Sequence, residues 1–193
     1  MILPIRAYGD PILRARGSAV ETDSDELQRL IDDMLETMRG AEGAGLAAPQ
    51  VGRSLRLFVA NLLPAWERLP EADRLEIPPQ PMVCINPVLI QESEEDMEFE
   101  EGCLSIPGLY EFLWRPDRVR MRYLDRYFEE QVIERNDLLA SVLQHEFDHL
   151  DGVLHIDYLS PFRKKIIKRP LKKIASGNVD VKYPMQFREG AAK

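Results

Sequence analysis

Two histidines and a glutamate in one short stretch have the types and spacing of a metal site. The stretch is an HExxH pattern that runs from His145 to His149, and it lies inside the apolar periodicity of a helix over 136–151. Positions i and i+4 share one helix face, so both imidazoles reach the same metal ion. Glu146 does not need to be a ligand, because beside the metal it accepts a proton from water. The pattern predicts metal-assisted hydrolysis.

The third metal ligand decides between enzyme classes, and the sequence offers two candidates for it. The first is His155, because residues 145–155 also match HExxHxxGxxH, the pattern of the metzincin proteases. The second is Cys103, which stands in the segment EGCLS and whose thiolate is a strong ligand for zinc or Fe(II). A structural zinc site is a third alternative, since it fills all four positions with protein ligands and gives Glu146 no role.

The composition is that of a globular chain with an acidic balance. The 193 residues include 25 Lys plus Arg and 33 Asp plus Glu, a formal net charge of −8, which disfavours general nucleic-acid binding. No apolar run approaches the roughly 20 residues of a membrane span. The first residues lack the pattern of a signal peptide, so we expect a cytoplasmic protein. Its two cysteines are expected to be free thiols, with Cys84 a buried small hydrophobe.

Local patterns predict the elements that position these residues. An amphipathic helix with a cap at Asp23 ends near Gly40, and the HExxH helix begins at a cap at Asn136. A last helix begins at Ser160, and Pro170 must kink or end it. Strands are predicted at 55–60 and 82–90, a hairpin at 118–124 and 128–134, and a solvated loop or edge strand in the acidic run 92–101.

The chain is expected to form one catalytic domain with two less regular segments. The domain covers residues 1–175 and includes a Pro-rich surface insertion at about 61–81. Residues 176–193 are expected to be a polar C-terminal tail that is loosely held.

Three segments in order resemble the motifs of peptide deformylase. Residues 43–50 read GAGLAAPQ, residues 101–105 read EGCLS, and residues 144–149 read QHEFDH. A single HExxH is common, whereas three motifs in order are highly specific. The resemblance implies an α+β fold with mixed or antiparallel sheets around a central HExxH helix. It also implies a hydrolase that removes the formyl group from the N-terminal formylmethionine of nascent polypeptides and releases formate.

The resemblance implies roles for the residues of the site. One divalent metal, Fe(II) in the cell with zinc, nickel or cobalt as replacements, is held by the ligands Cys103, His145 and His149. Three protein ligands leave one position for water, which is the geometry of a catalytic site. Glu146 takes a proton from this water and later delivers it to the leaving amine. Gln50 and the backbone N–H of Leu104 stabilise the negative charge on the formyl oxygen.

The resemblance also outlines how the substrate binds. The peptide lies extended near the first motif, and its methionine enters an apolar pocket; the expected substrate-binding residues are Gly43, Ala44, Gly45, Glu101, Leu138, Ser141 and Val142. Ala44 is smaller and Ser141 more polar than is common in the family, so the resemblance allows a methionine pocket that is wider or more polar than usual. Glu101 and Arg115 match a charged pair that braces the metal loop, although Arg115 alone would also suit a solvated surface. Tyr110 stands where some relatives carry a substrate-contacting Arg.

The last predicted helix is strongly basic, with seven cations at Arg163, Lys164, Lys165, Lys168, Arg169, Lys172 and Lys173. Its charges suit a solvated face of an ordinary amphipathic helix. They also suit contact with ribosomal RNA, since the substrate emerges at the ribosome and some relatives dock there through a C-terminal helix. Both interpretations remain open from the sequence.

Overall fold

The structure is a computed structural model that describes residues 1–68, 71, 77–136 and 138–188. Its α-helices are α1 (Asp25–Gly40), α2 (Leu63–Trp66), α3 (Leu138–Leu150) and α4 (Pro161–Ala175). Its strands are β1 (Ile5–Arg6), β2 (Gly45–Ala47), β3 (Leu57–Ala60), β4 (Met82–Glu92), β5 (Asp96–Cys103), β6 (Ile106–Pro116), β7 (Val119–Leu124), β8 (Glu130–Arg135) and β9 (Met185–Gln186).

Helix α1 begins one residue later than its sequence pattern suggests. The side chain of Ser24, and not that of Asp23, accepts the cap hydrogen bond, from the backbone N–H of Leu27 at 3.1 Å. Asp23 instead accepts a hydrogen bond from the side chain of Gln28 at 2.9 Å. Ser is an equally good cap, so the sequence contains two candidates and the predicted one is wrong.

Helices cover both faces of an antiparallel sheet with the order β2-β3-β4-β7-β8. Side chains alternate along β3, so Leu57 and Val59 pack in the core that includes α1, whereas Phe58 packs in the core that includes α3. Cys84 of β4 lies opposite Phe58 and is fully buried, which raises the pKa of its thiol well above the usual value. Helix α3 is therefore held against the sheet by apolar packing.

Strands β5 and β6 form a separate antiparallel pair. The acidic run therefore includes an edge strand, one of the two predicted alternatives, whereas β6 has no counterpart among the predicted elements. Phe99 and Leu113 are buried on one face of the pair. A register shift between Gly102 and Cys103 ends β5, and this irregularity turns Cys103 towards the interior, where it is buried.

Helix α4 continues through Pro170 and ends at Ala175, so of the two predicted alternatives, a kink or an end at this proline, the end is excluded. Ile167, Leu171 and Ile174 are buried on both sides of the proline. Their packing keeps the helix in place despite the hydrogen bond that proline cannot donate. The predicted cap of this helix, Ser160, is observed, and its side chain accepts from the N–H of Arg163 at 3.2 Å.

The segment after α4 is held more firmly than its polar composition suggests. Strand β9 pairs in parallel with β1, and the N–H of Ile5 donates to the carbonyl of Pro184 at 2.9 Å. The expectation of a loosely held tail is therefore wrong for residues 184–186. Backbone pairing supplies the attachment, and composition does not reveal such pairing.

Two further predictions fall partly outside the described residues. Residues 69, 70 and 72–76 of the expected insertion are not described, and neither is residue 137 beside the predicted cap at Asn136. The division of the chain into a domain and a tail at residue 175 stays a prediction. Among the described helices, none combines the length and the apolar composition needed to cross a bilayer.

Candidate active site

Helix α3 and the end of β5 bring together three side chains that could hold a metal ion. The ligand atoms of Cys103, His145 and His149 all lie within 4.8 Å of one another, and all three residues are buried. The Cys103 Sγ lies 3.3 Å from the Nε2 of His149. Both histidines project from the same face of α3, as the i, i+4 spacing predicts. The cysteine joins them only because β5 ends against this face.

A buried charged network fixes the orientation of His145. The Nδ1 of His145 lies 2.9 Å from the Oε2 of Glu101, so the other nitrogen, Nε2, is the atom available for a metal. The guanidinium of Arg115 donates to both oxygens of Glu101, and its Nη1 donates to Asp148 at 2.8 Å. Arg115 is 3% exposed, so the alternative of a solvated surface residue is wrong.

The same network keeps Glu101 ionised inside the protein. Burial by itself raises the pKa of a carboxyl group, but hydrogen bonds from His145 and Arg115 outweigh it and hold the pKa of Glu101 at about 2. Both oxygens of Glu101 accept hydrogen bonds from Arg115, and Oε2 also lies next to the Nδ1 of His145. Glu101 lines the cavity, but its carboxylate is occupied by these partners.

Glu146 is placed beside the metal-binding group with one oxygen unsatisfied. Within the described residues its Oε2 is buried and has no hydrogen-bond partner. Burial raises the pKa of Glu146 to about 7, although the neighbouring His145 works in the opposite direction. A pKa near neutrality suits a group that both accepts and returns a proton. The Oε1 of Glu146 lies only 2.4 Å from where a Cβ on Gly45 would be, so Gly45 is needed for this position.

Gln50 directs its amide group at the same centre. It lies in a short 3-10 helix, Ala48–Val51, which directly follows β2. Its Oε1 accepts from the N–H of Ala47 at 2.8 Å, and this fixes which end of the side chain faces the site. The Nε2 then lies 3.5 Å from the Cys103 Sγ and 3.3 Å from the Ser105 Oγ. Gln50 therefore presents a hydrogen-bond donor next to the Cys103 sulfur.

The side chains of this centre fit a single divalent cation. A thiolate and two imidazoles are a donor set typical of zinc and Fe(II). The tautomer of His145 is already set for coordination by Glu101. In the part of the chain that the structure describes, no other group of histidines, cysteines and carboxylates meets the same geometric criterion. Three protein ligands leave a position open for water, as in catalytic sites.

A cavity of about 700 Å³ opens onto these residues. Of the predicted site residues, it is lined by Gly43, Ala44, Gly45, Gln50, Glu101, Cys103, Leu104, Leu138, Ser141, Val142, His145 and Glu146. His149 lies behind this surface and is almost fully buried. The Ser141 hydroxyl donates to the carbonyl of Leu138 at 3.1 Å, so its proton is engaged by the helix backbone. The cavity is large enough for the first residues of a peptide.

A sequence model of the polypeptide deformylase family matches residues 2–165 of the chain. The chain belongs to the peptide deformylase family. A peptide deformylase of Salinibacter ruber is 55% identical over 189 residues, which are 98% of this chain and 96% of the relative. One from Christiangramia forsetii is 41% identical over 97% of this chain and 96% of its own length.

Solved structures of deformylases share the fold. The enzyme of Legionella pneumophila superimposes with a TM-score of 0.78 at 40% identity, covering 90% of this chain and 95% of its own. A complex of the Ehrlichia chaffeensis deformylase with actinonin gives 0.79 at 37% identity, covering 89% and 96%. The predicted α+β fold around a central HExxH helix is confirmed. As a deformylase, the chain is a metal-dependent hydrolase that removes N-formyl groups from nascent peptides.

The geometry of the candidate metal site also bears on the question raised by His155. The metzincin interpretation required this residue as the third ligand, but the group with metal-binding geometry contains Cys103 instead. His155 is fully buried, its ring centre is 5.8 Å from that of His145, and neither of its nitrogens has a partner within the described residues. Burial lowers the pKa of His155 to about 4, so its ring is neutral near pH 7.

Two contacts of the deformylase site are absent from the sequence-based predictions. Asp148 joins the network as an acceptor from Arg115 and from the hydroxyl of Tyr158, at 2.8 and 2.9 Å. Tyr183, far along the chain, donates to the carbonyl of Leu104 at 2.8 Å and lines the cavity. The variable positions of HExxH could have indicated Asp148, whereas no local pattern indicates Tyr183.

Proposed function

We propose that Cys103, His145 and His149 hold the catalytic metal of a deformylase and that Glu146 moves the proton during hydrolysis. The observation that supports this most directly is the unsatisfied, buried Oε2 of Glu146 beside the three ligands. When bound, the metal supplies a Lewis acid that makes water a nucleophile at neutral pH. Everything else in the reaction is assigned to side chains and backbone of this chain.

In this proposal Glu146 acts twice. It first accepts a proton from the attacking water, which its pKa of about 7 allows near neutral pH. The water oxygen bonds to the formyl carbon, the C–N bond of the formamide breaks, and Glu146 returns the proton to the leaving amine. The remaining acid proton of formic acid passes to the amine, so the products are formate and a peptide with a protonated α-amine, and atoms and charges balance.

Gln50 and the backbone N–H of Leu104 are proposed to stabilise the negative charge on the formyl oxygen. The Nε2 of Gln50 is 3.5 Å from the Cys103 Sγ, so it is close to where the reacting group must lie. Its orientation is set in advance by the bond from Ala47, and a preorganised donor of this kind is worth roughly 10²-fold in rate. Glu101 is proposed to orient His145 within the cavity wall.

The substrate is proposed to lie in the cavity with its backbone along Gly43 and Gly45, where the absence of side chains permits close approach. Ala44, Leu138, Ser141 and Val142 then surround the methionine side chain. Because the Ser141 proton is bound to the helix backbone, we expect this pocket to remain suitable for a thioether.

Formate release from formyl-Met-Ala-Ser tests these assignments, with anaerobically purified enzyme and the Glu146→Gln variant measured side by side. Glu146→Gln removes the proton acceptor but none of the proposed ligands. We expect it to keep its metal content and to lose most of its turnover. Turnover close to that of the parent enzyme would refute the role of Glu146. Cys103→Ala, in contrast, should lose the metal itself.

Three finer assignments belong to the same proposal. The metal in the cell is Fe(II), which thiolate and imidazole ligands suit, and comparing turnover after loading with Fe(II), Zn, Ni or Co tests this. The enzyme works in the cytoplasm, where formylated chains are made.

Helix α4 contacts the ribosome through cations that include Lys168 and Lys172. Reversing these two charges should weaken cosedimentation with ribosomes and leave tripeptide turnover unchanged.

A further inference from the structure

The outer face of the β5–β6 pair carries an unusual row of exposed aromatic side chains. Tyr110, Phe112 and Trp114 alternate along β6 and are 64%, 61% and 63% exposed. We call these three residues the aromatic stripe. At about 200 Å² for a large aromatic side chain, they expose roughly 375 Å² of mostly apolar surface. Patches of this size on a soluble protein are frequently functional.

Acidic side chains accompany the aromatic stripe on the neighbouring strand. In the β5–β6 register Glu98 lies opposite Trp114, and Glu100 lies opposite Phe112, so the carboxylates and rings share one face. Both glutamates are exposed, and neither forms an ion pair with a cation in the described part of the chain. A ring with a carboxylate beside it attracts a lysine or arginine through cation–π and ionic contacts together.

The aromatic stripe begins at the active-site cavity. Tyr110 and Glu100 line that cavity. The ring of Tyr110 lies over Gly102, because a Cβ there would be 2.6 Å from the ring Cε1. Gly102 directly precedes the proposed metal ligand Cys103. The stripe therefore starts one residue from the catalytic centre and leads away from it along β6.

The length of the stripe suits an extended polypeptide. Phe112 and Trp114 lie two and four residues beyond Tyr110, which is about 7 and 13 Å at the usual rise of a strand. An extended substrate advances about 3.4 Å per residue, so a chain whose third residue reaches Tyr110 reaches Trp114 near its seventh. A tripeptide ends at Tyr110, before Phe112 and Trp114, whereas a nascent chain continues across them.

We propose that the aromatic stripe, with Glu98 and Glu100, binds the downstream residues of the formylated chain and favours lysine and arginine at about positions five to seven. This proposal rests on the proposed placement of the substrate in the cavity. It extends the site from the formylmethionine to a second region of the same substrate. A chain with acidic residues in that region is repelled by the two glutamates.

The test compares three substrates by kcat/KM for formate release. They are formyl-Met-Ala-Ser, a nonapeptide that continues Gly-Lys-Leu-Arg-Ser-Ser and so carries its cations at positions five and seven, and a twin of that nonapeptide with glutamate in place of lysine and arginine. We expect the basic nonapeptide to exceed the tripeptide by roughly fivefold or more at low salt. The acidic twin should show no such gain. The double variant Phe112→Ser/Trp114→Ser should lose the gain and keep its tripeptide activity.

Two further variants make the result specific. Glu98→Lys should reverse the preference so that the acidic twin becomes the better nonapeptide. Ile90→Ser/Val132→Ser, which removes exposed apolar side chains from other strands, should leave the gain unchanged. Equal kcat/KM for the three substrates, or a gain that survives Phe112→Ser/Trp114→Ser, would overturn the proposal. Burial of the stripe in a dimer would also overturn the proposal. Such a dimer would sediment at twice the chain mass, and Phe112→Ser/Trp114→Ser would abolish it. Absence of tripeptide turnover would instead contradict the proposed function.

Discussion

Replacing Gly45 with alanine should move the proposed proton acceptor without touching a metal ligand. The added Cβ would lie 2.4 Å from the Oε1 of Glu146, whereas ordinary contacts begin near 3.4 Å. The carboxylate must therefore shift by about 1 Å. A shift of this size in a reacting group reduces the rate by about 10²-fold, which is about 2.7 kcal/mol in the activation free energy. Because Glu146 is buried in α3 and the cavity wall, the helix cannot easily yield.

Steady-state formate release from formyl-Met-Ala-Ser, with metal content measured on the same samples, checks this prediction. Gly45→Ala should retain its metal and lose about 10²-fold in kcat. Gly40→Ala is the matched control, because its Cβ would meet only the Ile2 side chain at 3.4 Å. In a Glu146→Gln background, Gly45→Ala should add little further loss in kcat, since in that parameter both changes act on the same group, whereas its effect on KM through the substrate path along Gly45 should persist. A kcat within threefold of the parent enzyme, or full additivity with Glu146→Gln, would refute the reasoning.

Two other changes test the residues around the site. Glu101→Gln keeps the shape but removes the charge that orients His145, so metal affinity should fall 10- to 100-fold; unchanged resistance to a chelator would argue against this role. Tyr183→Phe removes the bond to the Leu104 carbonyl, so kcat should fall about tenfold with little change in KM, and Tyr127→Phe, on an exposed turn, should change neither. Burial raises the pKa of Tyr183 to about 12, so the loss should be constant between about pH 6 and 9.

The parts of the site that the sequence predicts are those encoded within single segments. The HExxH spacing places His145 and His149 on one face of α3 whatever surrounds the helix. The short segment around Cys103 marks this residue as a candidate, but spacing alone leaves it equal to His155. The register shift that ends β5 places Cys103, and not His155, with the two histidines. Such irregularities depend on pairing with β6, a strand that has no clear sequence signal.

The contacts that sequence reasoning misses are those made between distant segments. The family resemblance predicts the pairing of Arg115 with Glu101, but nothing in the sequence predicts its further bond to Asp148, 33 residues along the chain. The bond from Tyr183 to Leu104 joins residues 79 positions apart. Neither contact produces a periodic pattern in the sequence, because both depend on how distant strands and the C-terminal segment pack together.

The pairing of β1 with β9 has a consequence for how the enzyme itself is made. Ile5 and Met185, its register partners, are 180 residues apart, so this contact closes only when nearly all of the described chain is available. Contacts of such large sequence separation are slow to form and come late. The bond from Tyr183 to the cysteine loop depends on the same closure. A chain still emerging during synthesis can assemble its three proposed ligands well before the wall of its catalytic cavity is complete. Assembly of the three proposed ligands and completion of the cavity wall are therefore separable in time while the chain is being made.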